Sequence, residues 1–143
     1  HQGWIVPVAT RVSSQAIACD ALFPVTEWLE LRGEYFNGQA LRGLGGGGIG
    51  QNLSPSGTPL NTSGGWAQVN VRSMSSWRAG VGCGGDHPEA LATRRRNDAC
   101  AAYTILRPSG PVFVGAEVRR LRTAYANTRL SSDHVTLALG FEF

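Results

Sequence analysis

Apolar and polar residues alternate one for one through the last positions of the chain. Val135, Leu137, Leu139, Phe141 and Phe143 fall on one side; His134, Thr136, Ala138, Gly140 and Glu142 fall on the other. On a helix these five apolar residues scatter around the axis, whereas on a strand they form one face. Six further stretches repeat the pattern. Residues 15–23 set Ile17, Cys19, Ala21 and Phe23 against Ala16, Ala18 and Asp20. Residues 28–36 set Leu29, Leu31, Gly33 and Tyr35 against Glu30, Arg32 and Glu34. Residues 66–72 set Ala67, Val69 and Val71 against Gln68, Asn70 and Arg72. Residues 77–83 set Trp77, Ala79, Val81 and Cys83 against Arg78, Gly80 and Gly82. Residues 99–106 set Ala101, Tyr103 and Ile105 against Ala102 and Thr104, and residues 112–118 set Val112, Val114, Ala116 and Val118 against Gly115 and Glu117. Seven strands are predicted, and residues 3–8 offer an eighth.

The connections alternate in length. Short turns are expected at Pro24–Glu27, Ser73–Ser76 and Pro108–Pro111, and long polar or glycine-rich loops at Gly45–Gly64, Gly85–Asn97 and Ala124–Ser132. This is the pattern of an antiparallel up-and-down meander with short turns at one end, and no helix start-and-stop signal competes with it. The expectation is an all-β chain, a single domain over residues 1–143 forming a β-barrel or its C-terminal part, with residues 1–14 an extra strand or a loose leading segment.

Periodicity alone leaves open which face meets water. A soluble barrel encloses its apolar face; a membrane barrel turns that face to lipid and its polar face to the lumen. Two features favour the membrane orientation. The apolar face carries no charge across the strand centres, and aromatic residues (Phe23, Trp28, Trp77, Phe141, Phe143) gather at the strand ends beside the short turns, as an interfacial girdle does.

Composition narrows the classes further. In 143 residues, 42% are apolar and 16% charged, enough apolar material for a fold and too little charge for a typical disordered segment. The net charge of +3 comes from arginine alone, without lysine or a dense basic stripe, so nucleic acid is not an expected partner. Three cysteines (Cys19, Cys83, Cys100) at wide spacing indicate neither a disulfide framework nor a zinc knuckle. No apolar run reaches the ~18 residues of a membrane helix. No signal-like segment opens the chain at His1, which reads as a mature chain or a piece of a longer one.

The closing stretch His134–Phe143 resembles the last strand of bacterial outer-membrane β-barrels, which end in an aromatic residue, usually Phe. More specifically, residues 30–51 (ELRGEYFNGQALRGLGGGGIGQ), 65–71 (GWAQVNV), 80–88 (GVGCGGDHP) and 115–125 (GAEVRRLRTAY) make the chain similar to the C-terminal part of porin-like, DcaP-like outer-membrane proteins. The resemblance spans residues 15–143. It implies location in the cell outer membrane, contact with outer-membrane lipid, and passage of small hydrophilic solutes; homo-oligomerisation stays open. Members of such families have longer chains and more strands, and about eight strands alone leave a lumen that side chains nearly fill.

Residue clusters with possible chemistry have simpler readings. Gly45–Gly50 lacks the Lys and hydroxyl of a phosphate loop. Cys83, Asp86 and His87 lack the second ligand pair of a zinc site, so no metal and no cofactor is expected. Ser132, Asp133 and His134 are strand neighbours that point to alternate faces, so Asp133 does not orient His134. Arg94–Arg96 and Arg119, Arg120 and Arg122 read as solvated turns or anion contacts near the outer strand ends. Glu30, Glu34 and Glu117 offer a glycosidase-like carboxylate pair, but Arg32 and Arg78 beside them suggest cross-strand ion pairing, and in a pore the same charges act as selectivity residues. The reading is therefore a non-enzymatic porin-like barrel, with Glu30, Arg32, Glu34, Arg78 and Glu117 in the lumen and Val135, Leu137, Leu139, Phe141 and Phe143 toward the membrane. Two alternatives are a soluble ligand-binding barrel lined by Leu137, Leu139 and Phe141, and a β-scaffold hydrolase.

Overall fold

Alternating β-branched and aromatic residues bounded by Gly, Pro and Ser produce strands throughout. A computed structural model of the chain describes residues 13–41, 53–72, 76–89, 92–108 and 110–141. The strands are β1 (Gln15–Pro24), β2 (Leu29–Gln39), β3 (Asn61–Arg72), β4 (Trp77–Pro88), β5 (Arg94–Leu106), β6 (Val112–Tyr125) and β7 (Arg129–Phe141). Each pairs antiparallel with its sequence neighbours in one sheet of order β1-β2-β3-β4-β5-β6-β7. All seven predicted strands are present. The sheet does not close into a barrel: β1 and β7 are its edges, and they run in the same direction. The predicted strand at 3–8, the run Gly45–Gly50 and Phe143 lie outside the described residues.

The strands are 10 to 14 residues long, and from β2 to β7 the length beyond what the alternation indicated lies at the end away from the short turns. The loop expected at Ala124–Ser132 is a tight turn, closed by the Tyr125 amide donating to the Thr128 carbonyl at 2.8 Å. The loop expected at Gly85–Asn97 shrinks to residues 89–93. Polar, charged and glycine residues there hid the continuing strands.

Directly opposite residues in an antiparallel ladder share a face, so the register assigns every side chain. One face carries Ile17, Cys19, Ala21 and Phe23; Leu29, Leu31 and Tyr35; Ala67, Val69 and Val71; Trp77, Ala79, Val81 and Cys83; Cys100, Ala102, Thr104 and Leu106; Val112, Val114, Ala116 and Val118; and Val135, Leu137, Leu139 and Phe141. This corrects the reading of β5. Ala102, Thr104 and Leu106 belong to the apolar face, while Ala101, Tyr103 and Ile105 share the other face with Arg78 and Glu117. Side-chain character misled there, because Ala101 and Ala102 are interchangeable and Tyr103 is amphipathic.

The apolar stretch moves steadily across the sheet. On β7 it runs from Phe141 to Val135, and on β1 from Phe23 to Ile17; tracing the pairings, Phe23 lies level with Val135. The band thus climbs six residues over six strand-to-strand steps. At ~3.3 Å per residue and ~4.8 Å between strands, it runs at ~35° to the perpendicular of the strands.

Thr104, a hydroxyl inside this band, accepts from Trp77 Nε1 at 2.8 Å and donates to the Arg78 carbonyl at 3.3 Å. Cys83 and Cys100 are directly opposite, with Cα atoms 4.1 Å apart, and form a disulfide; Cys19 is a free thiol. The disulfide departs from the expectation drawn from three widely spaced cysteines, because only the β4–β5 register brings these two together.

The large apolar side chains do not pack together. Ile17, Val135, Leu137 and Leu139 are 79%, 73%, 78% and 78% exposed. Among the described residues the buried apolar side chains are Ala40, Leu41, Leu60 and Ala92, all at the end away from the short turns. There a small turn at residues 54–58, with Gly57 at φ 82°, precedes Leu60, whose carbonyl accepts from Ala40 at 2.9 Å. The buried strand residues nearby, Thr62, Gly64, Asp86 and Pro88, all belong to the polar face, so this segment folds over that face.

Candidate functional site

Five sequence-predicted residues, Glu30, Arg32, Glu34, Arg78 and Glu117, come together on the polar face of the sheet. Following the pairings sideways resolves that face into transverse rows, ~7 Å apart along the strands. Arg72 opposes Arg78 in the first. The second runs Glu30, Asn70, Gly80, Tyr103, Glu117, Thr136, and the third Arg32, Gln68, Gly82, Ala101, Arg119, His134. In the fourth, Asp20 opposes Glu34. Charge sign therefore alternates row by row: basic, acidic, basic, acidic.

The ion pairs among these four rows run along strands. Arg32 Nε donates to Glu30, and Arg119 lies 2.8 Å from Glu117. This departs from the cross-strand pairing expected with Arg78, which faces Arg72 instead. Alternation explains it: residues two apart on one strand lie on one face in adjacent rows, whereas cross-strand neighbours share a row and here share a sign. Like charges directly opposite weaken a sheet, so such rows suit a face in contact with water.

Residues missed by sequence reasoning connect these charges. Asn70 Nδ2 donates to Glu30 Oε1 at 3.1 Å, Gln68 donates to Asn70, and the Tyr103 hydroxyl donates to Asn70 Oδ1 at 3.0 Å. Tyr103 reaches from β5 across β4 because Gly80 lies beneath its ring; a Cβ there would stand 2.5 Å from both Tyr103 Cε1 and Asn70 Oδ1. Phe36 lies over Gly64 and Phe113 over Gly140 in the same manner. The signal available was the polar row itself, Gln68 and Asn70 alternating with valines. Further along, Trp66 Nε1 donates to Glu34 at 3.3 Å. Glu117, Arg119, His134 and Thr136 border a depression of about 500 Å³.

The chain matches no protein-family model, no curated protein and no solved structure.

Hydrolytic geometry is lacking at the expected carboxylates. Glu30 and Glu117 share a row but stand four strand steps apart, ~19 Å along the sheet, and Glu30 and Glu34 are ~13 Å apart along β2. Glycosidase pairs require about 5–9.5 Å. Ser132 Oγ contacts His134 Nε2 at 3.1 Å, while Asp133 on the opposite face holds Arg120 through two bonds of 2.7 and 2.8 Å. Cys83 is taken by the disulfide, and Asp86 and His87 point to opposite faces, so they do not converge on a metal. Arg94 lies 3.8 Å from Asp86 and Arg96 2.6 Å from Asp98.

Proposed function

We propose that this chain forms wall of an outer-membrane β-barrel, porin-like, whose polar face lines a passage for small hydrophilic solutes. The observation that carries this reading is the apolar band. It consists of exposed Val, Leu, Ile and aromatic side chains, and it crosses the strands obliquely at ~35°. Strands of a membrane barrel tilt by about 35–45°, so a band level with the bilayer must climb along them in this way. In a water-soluble sheet the same residues would need a covering layer.

Other features agree. Strands of 10 to 14 residues match or exceed the ~9–11 that a tilted crossing requires. Trp28, Trp77, Phe23 and Phe141 gather at the short-turn end. The Cys83–Cys100 disulfide fits an oxidising compartment such as the periplasm or cell surface. The resemblance of the closing strand to outer-membrane β-barrels, and of residues 30–51, 65–71, 80–88 and 115–125 to DcaP-like porins, points the same way. In this setting Glu30, Arg32, Glu34, Arg78 and Glu117 act as selectivity charges, attracting permeating ions of opposite sign and repelling those of like sign. The soluble ligand-binding alternative would instead place Leu137, Leu139 and Phe141 in an enclosed interior.

Cys19 supplies the test, as a free thiol on the apolar face between Ile17 and Ala21. The protein is reconstituted in phosphatidylcholine vesicles. Cys19 should then resist a water-soluble maleimide and, once labelled with a fluorophore in denaturant and refolded, should be quenched by lipids bearing acyl-chain spin labels. Free reaction with the water-soluble reagent and no quenching by lipid would overturn the membrane reading.

A further inference from the structure

Above the apolar band, on the same face, β4–β7 change character abruptly. The last apolar row, Val81, Ala102, Val118 and Val135, is followed by Cys83, Cys100, Arg120 and Asp133, then by Gly85, Asp98, Arg122 and Ser131. Arg129 and Arg96, both paired near Ala124, come next. Four arginines thus face two aspartates within about three rows. Arg120 is held by Asp133 and Arg96 by Asp98, whereas among the described residues Arg122 and Arg129 make no ion pair and both are exposed.

Beside them lies a depression of about 670 Å³. Its floor is low because Gly65 and Gly85 oppose each other there without side chains. Tyr35 stands on one side, and Arg96, Arg120 and Arg122 on the other.

We infer that this surface binds the phosphate-bearing headgroup of a membrane lipid, with Arg122 and Arg129 as the principal contacts and the acyl chains lying along Val118, Val135 and Leu137. The inference rests on the membrane orientation proposed above and adds the chemistry of the lipid. Charge complementarity selects an anion, since a guanidinium matches phosphate oxygens with paired donors. Continuity selects an amphiphile: the cationic rows begin one residue pair, ~7 Å along the strand, beyond exposed apolar side chains on the same face. A free anion would make no use of that adjacency. Tyr35 at the rim has the ring and hydroxyl suited to a membrane–water boundary.

The test uses the full chain in neutral-detergent micelles, titrated with phosphatidic acid or with phosphatidylcholine, and follows retained lipid by native mass spectrometry. Arg122→Gln/Arg129→Gln breaks no described ion pair, and refolding is checked by circular dichroism. With each arginine near an anionic lipid surface contributing about a five-fold factor, the double variant should bind phosphatidic acid about 30-fold more weakly. Phosphatidylcholine should not distinguish the two proteins, and millimolar inorganic phosphate should not displace phosphatidic acid. Equal affinity of both proteins for phosphatidic acid overturns the inference. So does displacement by inorganic phosphate, which would identify a free-anion site. Cys19 quenching of the same refolded protein, reconstituted in vesicles with spin-labelled lipid, separates the two proposals: quenching present with equal phosphatidic acid affinity sinks only the headgroup site, and absence of quenching sinks the membrane reading.

Discussion

Replacing Leu137 by Arg puts a guanidinium in the middle of the apolar face. Leu137 lies four residues from Phe141 and four from Asp133, so it stands ~13 Å along the strand from the aromatic end and from the first charged row. At a tilt of ~40° that is about 10 Å of depth on either side, too far for the guanidinium to reach water without disturbing the bilayer. Arginine on the lipid face near the midplane of a β-barrel costs about 2–4 kcal/mol, whereas a substitution at a water-exposed surface position stays within about 0.5 kcal/mol. Leu137 is 78% exposed in the sheet, so the two environments give distinct outcomes. Urea unfolding from lipid vesicles, followed by tryptophan fluorescence, measures the difference. Thr136→Arg, one residue along and opposite Glu117 on the polar face, is the internal comparison and should be nearly neutral. A Leu137→Arg variant as stable as the parent, or a Thr136→Arg variant that is the more destabilised, would refute the orientation.

Two other outcomes are expected. Arg32→Gln removes the partner of Glu30 and Arg78→Gln weakens the basic row, so each should shift reversal potentials in planar bilayers toward cation preference; Glu30→Gln should shift them the opposite way, and unchanged selectivity in all three would remove these residues from the lumen. The Cys83–Cys100 bond closes a loop of sequence separation 17, for which chain entropy predicts about 3 kcal/mol; Cys83→Ser/Cys100→Ser should lower unfolding stability by that order, and reduction of the parent protein should reproduce the loss.

The existence and order of the strands were legible in the sequence because a period of two survives wherever Val, Leu and aromatic residues mark one face. Strand extent was not, since β3–β7 continue through polar and glycine residues such as Asn61–Gly65 and Arg94–Asp98, where alternation has no hydrophobic marker. The five charged residues were correctly grouped on one face, because sharing a face depends only on the phase of each strand. Their pairing was not legible, because it depends on register: only the register puts Arg78 opposite Arg72 rather than beside a glutamate. The same limit hid the disulfide. With β5 assigned to its observed face, Cys100 would have fallen on the apolar side with Cys83, and their meeting would have become a question of row alone.

The shared direction of β1 and β7 constrains how such a wall is completed. A cylinder made by joining these two margins directly would contain one parallel seam. Head-to-tail association of identical copies inserted the same way up would repeat that seam at every junction. In hydrocarbon neither margin tolerates bare amides and carbonyls, each costing several kcal/mol. An all-antiparallel enclosure therefore requires an odd number of additional strands between β7 and β1, entering at the short-turn side when there is one, and this parity gives a simple criterion for any longer polypeptide or partner that completes the ring.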